Sequence, residues 1–159
     1  MCGIGVGNPF TFTGVATTGT GTWTMQSGPG TETFVDDNLA TTSVSVDAYG
    51  SYVFRWTEVN GTCSSFDEVT VLFWEPPSAS VPGGNQTQCN TSTFTMAATP
   101  PAAGTGTWSY VSGFAGIIIT NINSATTTVT GLTAGNSVTL RWTISNGPVC
   151  AGVFNDISL

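Results

Sequence analysis

The chain has 159 residues, 40% hydrophobic and only 7% charged, so a packed core is possible and gross disorder is not expected. Its net charge of −7 rests on two basic residues, Arg55 and Arg141, which argues against nucleic-acid binding and against docking on an anionic membrane. With no histidine and no lysine, Ser-His-Asp, Cys-His and lysine-based nucleophiles are excluded within this chain, and no apolar run approaches the length of a membrane span.

Met1 leads directly into Cys2 and a strand-like stretch with no signal peptide in sight, which reads as a fragment boundary. "FTFTGVAT" (10–17), "GTGTWTM" (19–25), "TTSVSV" (41–46), "SYVFRWTEV" (51–59) and "DEVTVLF" (67–73) alternate in character with period two and are rich in Val, Thr, Phe and Trp. Each is expected to be a strand. Between the second and third, "VDDN" (35–38) brings three oxygen-bearing side chains, Asp36, Asp37 and Asn38, into a loop. Calcium ligation is one reading; solvated turn acids are the expected one. Asn60-Gly61 separates "YVFRWTEV" from its return strand and predicts a type I′ hairpin turn centred on those two residues. Within "SYVFRWTEV", Tyr52, Phe54 and Trp56 share one face and Val53, Arg55 and Thr57 the other. The apolar face is assigned to the core. Arg55 then lies outside, where it contacts an acidic ligand or, as expected, stacks on an aromatic or reaches a neighbouring strand's polar group.

"WEPPSASVPGGNQTQ" (74–88) has three prolines and reads as a semi-rigid linker, placing a boundary near Ser78. Beyond it the pattern recurs. "GTGTW" stands at 19–23 and again at 104–108, with Trp23 and Trp108 separated by 85 residues. "ATTSVSV" (40–46) matches "ATTTVTG" (125–131), and "YVFRWTEVNGTC" (52–63) matches "VTLRWTISNGPVC" (138–150). Agreement at several separated words defines two modules, 1–78 and 79–159. Trp23 and Trp108 are expected as core anchors facing Trp56 and Trp142 across the interior; stacking on sugar is the sharper alternative.

Cys2 and Cys63 are 61 residues apart, as are Cys89 and Cys150. Of the three pairings open to four cysteines, equal spacing favours Cys2–Cys63 and Cys89–Cys150, one bridge per module, in an oxidising compartment. Four buried free thiols is the alternative. Zinc is not favoured, with no histidine and no Cys-x-x-Cys. Five to seven short strands in about 80 residues is the count of an immunoglobulin-like sandwich. Asn60, Asn85 and Asn90 fit the glycosylation sequon.

The words "GTGTW…SG" and "ATTTVTGLTAGNSVTLRWTISNG" with the following cysteine resemble the PKD-like and immunoglobulin-like repeats of very large surface proteins of Bacteroidota. Many of those are adhesins exported by type IX secretion, including gliding-motility adhesins. The resemblance covers nearly the whole chain, twice; the first module departs from it at "VSVDAYGSY". It implies an all-β chain of two tandem immunoglobulin-like (PKD-like) β-sandwich domains, extracellular and non-enzymatic, without cofactor or metal. The expected role is a stalk segment of a surface adhesin or filament, with neighbouring repeats as partners and surface polysaccharide or protein as possible ligands. The alternative is a carbohydrate- or protein-binding accessory module of a secreted enzyme. Both ends stop short of a full repeat, as a section cut from a longer array would.

Overall fold

The computed structural model describes residues 1–5, 8–89 and 91–159. The chain divides into two compact units, Met1–Glu75 and Pro76–Leu159, the division falling just before the paired prolines. All regular structure among the described residues is β.

In the first unit, β1 (Phe10–Thr11), β4 (Ser43–Val46) and β3 (Glu32–Phe34) form one antiparallel sheet in the order β1-β4-β3. β2 (Thr20–Ser27), β5 (Gly50–Asn60) and β6 (Cys63–Phe73) form the second, in the order β2-β5-β6. The core lies between them: Phe12, Val44 and Val46 from one side meet Trp23, Tyr52, Phe54, Val71 and Phe73 from the other. On β5, Tyr52 and Phe54 are fully buried while Val53 and Arg55 are not, so period-two alternation sorts the faces as expected. Tyr52 can be buried because its hydroxyl donates to the Ala48 carbonyl at 2.8 Å.

The second unit repeats this layout. β7 (Phe94–Thr95), β10 (Thr128–Thr130) and β9 (Ile118–Ile119) make one sheet; β8 (Thr105–Gly113), β11 (Val138–Ser145) and β12 (Val153–Ser158) make the other, with β11 central as β5 is. Even the irregularity recurs. β2 slips against β5 between Met25 and Ser27, and β8 slips against β11 at Tyr110–Ser112, the corresponding place. Phe94, Met96, Trp108, Val129, Leu140 and Trp142 anchor the second core.

The recurrence of "GTGTW" has a steric cause. Gly19 and Gly104 adopt φ of +91° and +96°, and a Cβ on either would run into a partner-strand carbonyl, Val59 or Ser145. Gly21 and Gly106 lie beneath the indole rings of Trp56 and Trp142, where any Cβ would overlap the ring. The word is a strand entry followed by a seat for a neighbour's tryptophan.

Three expectations are corrected. The tryptophans do not face each other across the interior: Trp23 is the direct cross-strand partner of Trp56 on adjacent strands of one sheet, and Trp108 of Trp142, with ring centroids 5.3 Å and 5.0 Å apart. What stacks on Trp23 from the opposite sheet side is Phe12, at 4.2 Å. Second, the hairpin turn is displaced by one residue. Asn60 pairs with Cys63, so the loop residues are Gly61 and Thr62, with Gly61 at φ +63° in the first central position. In the second unit the corresponding connection spans 146–152 and contains Pro148.

Third, neither expected disulfide forms. Cys63 and Cys89 are exposed free thiols, so neither Cys2–Cys63 nor Cys89–Cys150 is bridged. Cys63 opens β6, while Cys2 bridges Trp74, just past that strand's other end. At about 3.3 Å per residue the two lie roughly 35 Å apart along the strand, against the ~7 Å limit for a bridge. Likewise Gln86, three residues before Cys89, is bonded to Ser158, at the end of β12 remote from Cys150. Equal spacing was a product of the duplication rather than of pairing.

Candidate functional site

The first unit carries an open groove of about 320 Å³ along the edge of the sandwich, lined among others by Val15, Thr17, Trp56, Glu58, Phe66 and Asp67. β5 supplies Trp56 and Glu58, two apart and thus on one face; β6 supplies Phe66 and Asp67. Glu58 organises the centre. Its carboxylate accepts from the Thr17 hydroxyl at 2.6 Å, the Trp56 Nε1 at 3.0 Å and the Thr17 amide at 3.0 Å. These donors, the Thr17 hydroxyl foremost, hold its pKa below the ordinary glutamate value. Phe66 is 62% exposed at the rim, under the Arg55 guanidinium at 4.0 Å from the ring centroid.

Arg55 lies over that ring and pairs with Glu68, whose Oε1 it meets at 2.6 Å. Arg141 repeats the arrangement with Phe154 at 3.7 Å and Asp156 at 2.8 Å. The hydrogen bond between Arg141 and Asp156 raises the one pKa and lowers the other. Both arginines are sheet-surface clamps, the structural role expected of them.

The acidic loop is also accounted for structurally. Asp36 Oδ1 accepts from the Asn38 amide at 2.9 Å, and the Asp36 amide donates to the Thr42 hydroxyl. In the second unit Asn121 does the same: its Oδ1 accepts from the Asn123 amide at 3.0 Å and its amide donates to Thr127. In both units a side-chain oxygen accepts this turn bond, from a carboxylate in the first and from an amide in the second. Among the described residues no three His, Cys, Asp or Glu side chains are grouped to hold a metal ion. Of the sequon positions, Asn60 ends β5, Asn85 accepts from the Ser158 amide, and Asn90 lies outside the described residues.

Sequence reasoning missed Glu58 and Thr17. The available signal was a difference between repeats: Glu58 and Ile144 both stand two residues after the tryptophan in "RWT".

No family model and no curated protein matches the chain. Among solved structures it is similar to Drosophila OTK extracellular domains 3–5, with a TM-score of 0.50 and 12% identity over 98% of this chain and 52% of that one. It is also similar to human CDH23 EC21-23, with a TM-score of 0.38 and 16% identity over 87% and 50%. The chain spans about half the length of each. The first likeness shows the fold, an immunoglobulin-like β-sandwich repeat. No helix among the described residues is long and apolar enough to cross a membrane.

Proposed function

We propose that the chain is a non-enzymatic structural or adhesive repeat segment of a large secreted cell-surface protein, serving as a stalk module in adhesion or gliding motility. One observation carries the reading. The two units reuse the same strand order, bulge, tryptophan pair and arginine clamp, so what recurs is the scaffold. Repeats selected for chemistry would be expected to reuse a site; here the groove residue Glu58 has Ile144 as its counterpart. Neighbouring repeats are the natural partners, and the setting is extracellular, as it is for the OTK domains of similar fold.

The second reading, a binding module on a secreted enzyme, is favoured by the groove with its partly exposed Trp56 and Phe66. One set of experiments separates them. Pulling single molecules should give a mechanically resistant unfolding event for each unit, with no saturable binding on a glycan array and no hydrolysis of polysaccharide. Glycan binding abolished by Trp56→Ala would overturn the structural reading in favour of the second.

A further inference from the structure

In the second unit an extended strap, residues 76–86, runs along the edge of the sandwich. The Ser78 amide donates to the Ala103 carbonyl at 3.1 Å, the Ala102 amide to the Ser78 hydroxyl at 3.2 Å, and the Thr99 amide to the Val81 carbonyl at 2.8 Å. The strap therefore lies antiparallel to 99–103. Ser80 is 5% exposed; its hydroxyl donates to the Trp142 carbonyl at 2.6 Å and its own carbonyl accepts from Asn155 Nδ2 at 2.6 Å. Gln86 then reaches the end of β12, its amide on Ser158. Beside this strap Trp142 is fully buried.

The first unit has the same bed. The amide pairs Phe12–Thr42 and Met96–Thr127 match, which aligns Val15 with Thr99. The shared "GTGTW" aligns Thr17 with Ala102, and the strand registers align Trp56 and Asp67 with Trp142 and Asn155. All four first-unit residues line the groove. Val15 is 82% exposed there, and Trp56 is less buried than Trp142. The Thr17 amide, counterpart of the Ala102 amide held by Ser78, is held instead by Glu58.

We propose that this groove seats an extended, uncharged peptide strand of the chemistry of residues 76–83, proline-flanked and bearing serine hydroxyls, joined in cis ahead of Met1. The direction fits. Cys2 bridges Trp74 in parallel, beyond β6, in continuation of the course that Gln86 takes along β12. Strand addition of this kind draws its affinity from main-chain hydrogen bonds and its selectivity from alternate side-chain seats, and covalent linkage supplies a high effective concentration. The inference stands whether or not the stalk reading does, because it concerns how the unit is completed.

The test grafts a second copy of residues 75–87 ahead of Met1, since Cys2 and Cys89 make Met1 the counterpart of Gln88. Amide exchange at Val15 should slow at least tenfold relative to the unextended chain and to a scrambled extension. Asp67→Asn should slow it further, because an amide can donate to the strap carbonyl as Asn155 does. In a second arm that leaves the chain unaltered, the free peptide of residues 75–87 should protect Val15 in a saturable manner, and the scrambled peptide should not. Equal exchange with authentic and scrambled sequence in both arms would overturn the proposal. So would concentration-dependent protection of Val15 in the unextended chain, which would assign the groove to a second copy.

Discussion

Glu58 holds the indole Nε1 of Trp56 at 3.0 Å, whereas the Trp142 Nε1, buried beside the apolar counterpart Ile144, has no hydrogen-bond partner among the described residues. The second unit gives up a bond to an N–H, a loss of about 1–3 kcal/mol when the group is buried, and gains a fully buried Ile side chain worth about 1.5–3 kcal/mol. The two repeats thus balance one core position differently. The first keeps a polar device at the groove, and the second completes its apolar core.

That device makes the first unit sensitive to acid. Glu58 is depressed in the folded state by Thr17 and Trp56, so the folded chain binds fewer protons than the unfolded one near the ordinary glutamate pKa. Its contribution is present above that pKa and is lost as pH falls through the depressed folded value. Asp47, depressed by the Thr31 hydroxyl and amide, acts in the same sense. Glu58→Gln should flatten the pH dependence of first-unit melting in the acid range and leave second-unit melting unchanged, as followed by thermal unfolding from pH 7 to pH 2.

Thiol chemistry checks the cysteine assignment. Native protein should react with Ellman's reagent, and peptide mapping after alkylation should place label on Cys63 and Cys89. A count of zero, or either of these sites unlabelled, would contradict the assignment.

The glycines beneath the tryptophans should resist substitution. Gly21→Ala and Gly106→Ala force a methyl into an indole ring and should each destabilise their unit by about 1–3 kcal/mol, the usual cost of overpacking. Ala at the open Gly84, where a Cβ meets nothing, is the control. Urea titration measures all three.

Asp36→Asn should change stability by no more than about 0.5 kcal/mol, because Asn121 makes the same turn bond. Asp36→Ala removes that acceptor and should cost about 1 kcal/mol. A large loss on Asp36→Asn, restored by added calcium, would show that the charge itself matters.

Much of the scaffold was readable because period-two alternation and duplication leave marks in sequence. Tyr52 and Phe54 against Val53 and Arg55 is such a mark, and so is the recurrence of "GTGTW". What was unreadable depended on which end of a strand or which sheet a residue occupies. Alternation tells a face but not an end, so Cys2 and Cys63 looked pairable although β6 holds them apart. It tells inward from outward but not adjacent from opposite, so the partner of Trp23 was placed across the core rather than beside it. The groove escaped because it arises from a difference between repeats, Glu58 against Ile144, at a position where the eye seeks likeness.

The central claim is that each repeat folds around its own tryptophan-paired core. Residue-resolved amide exchange on the intact chain carrying Trp142→Ala tests it. The truncation should cost about 3–5 kcal/mol and strip protection from Val129, Leu140 and Ile144 while Val44, Tyr52 and Phe54 keep theirs. Equal loss of protection in both sets would mean a single shared core and would contradict the account.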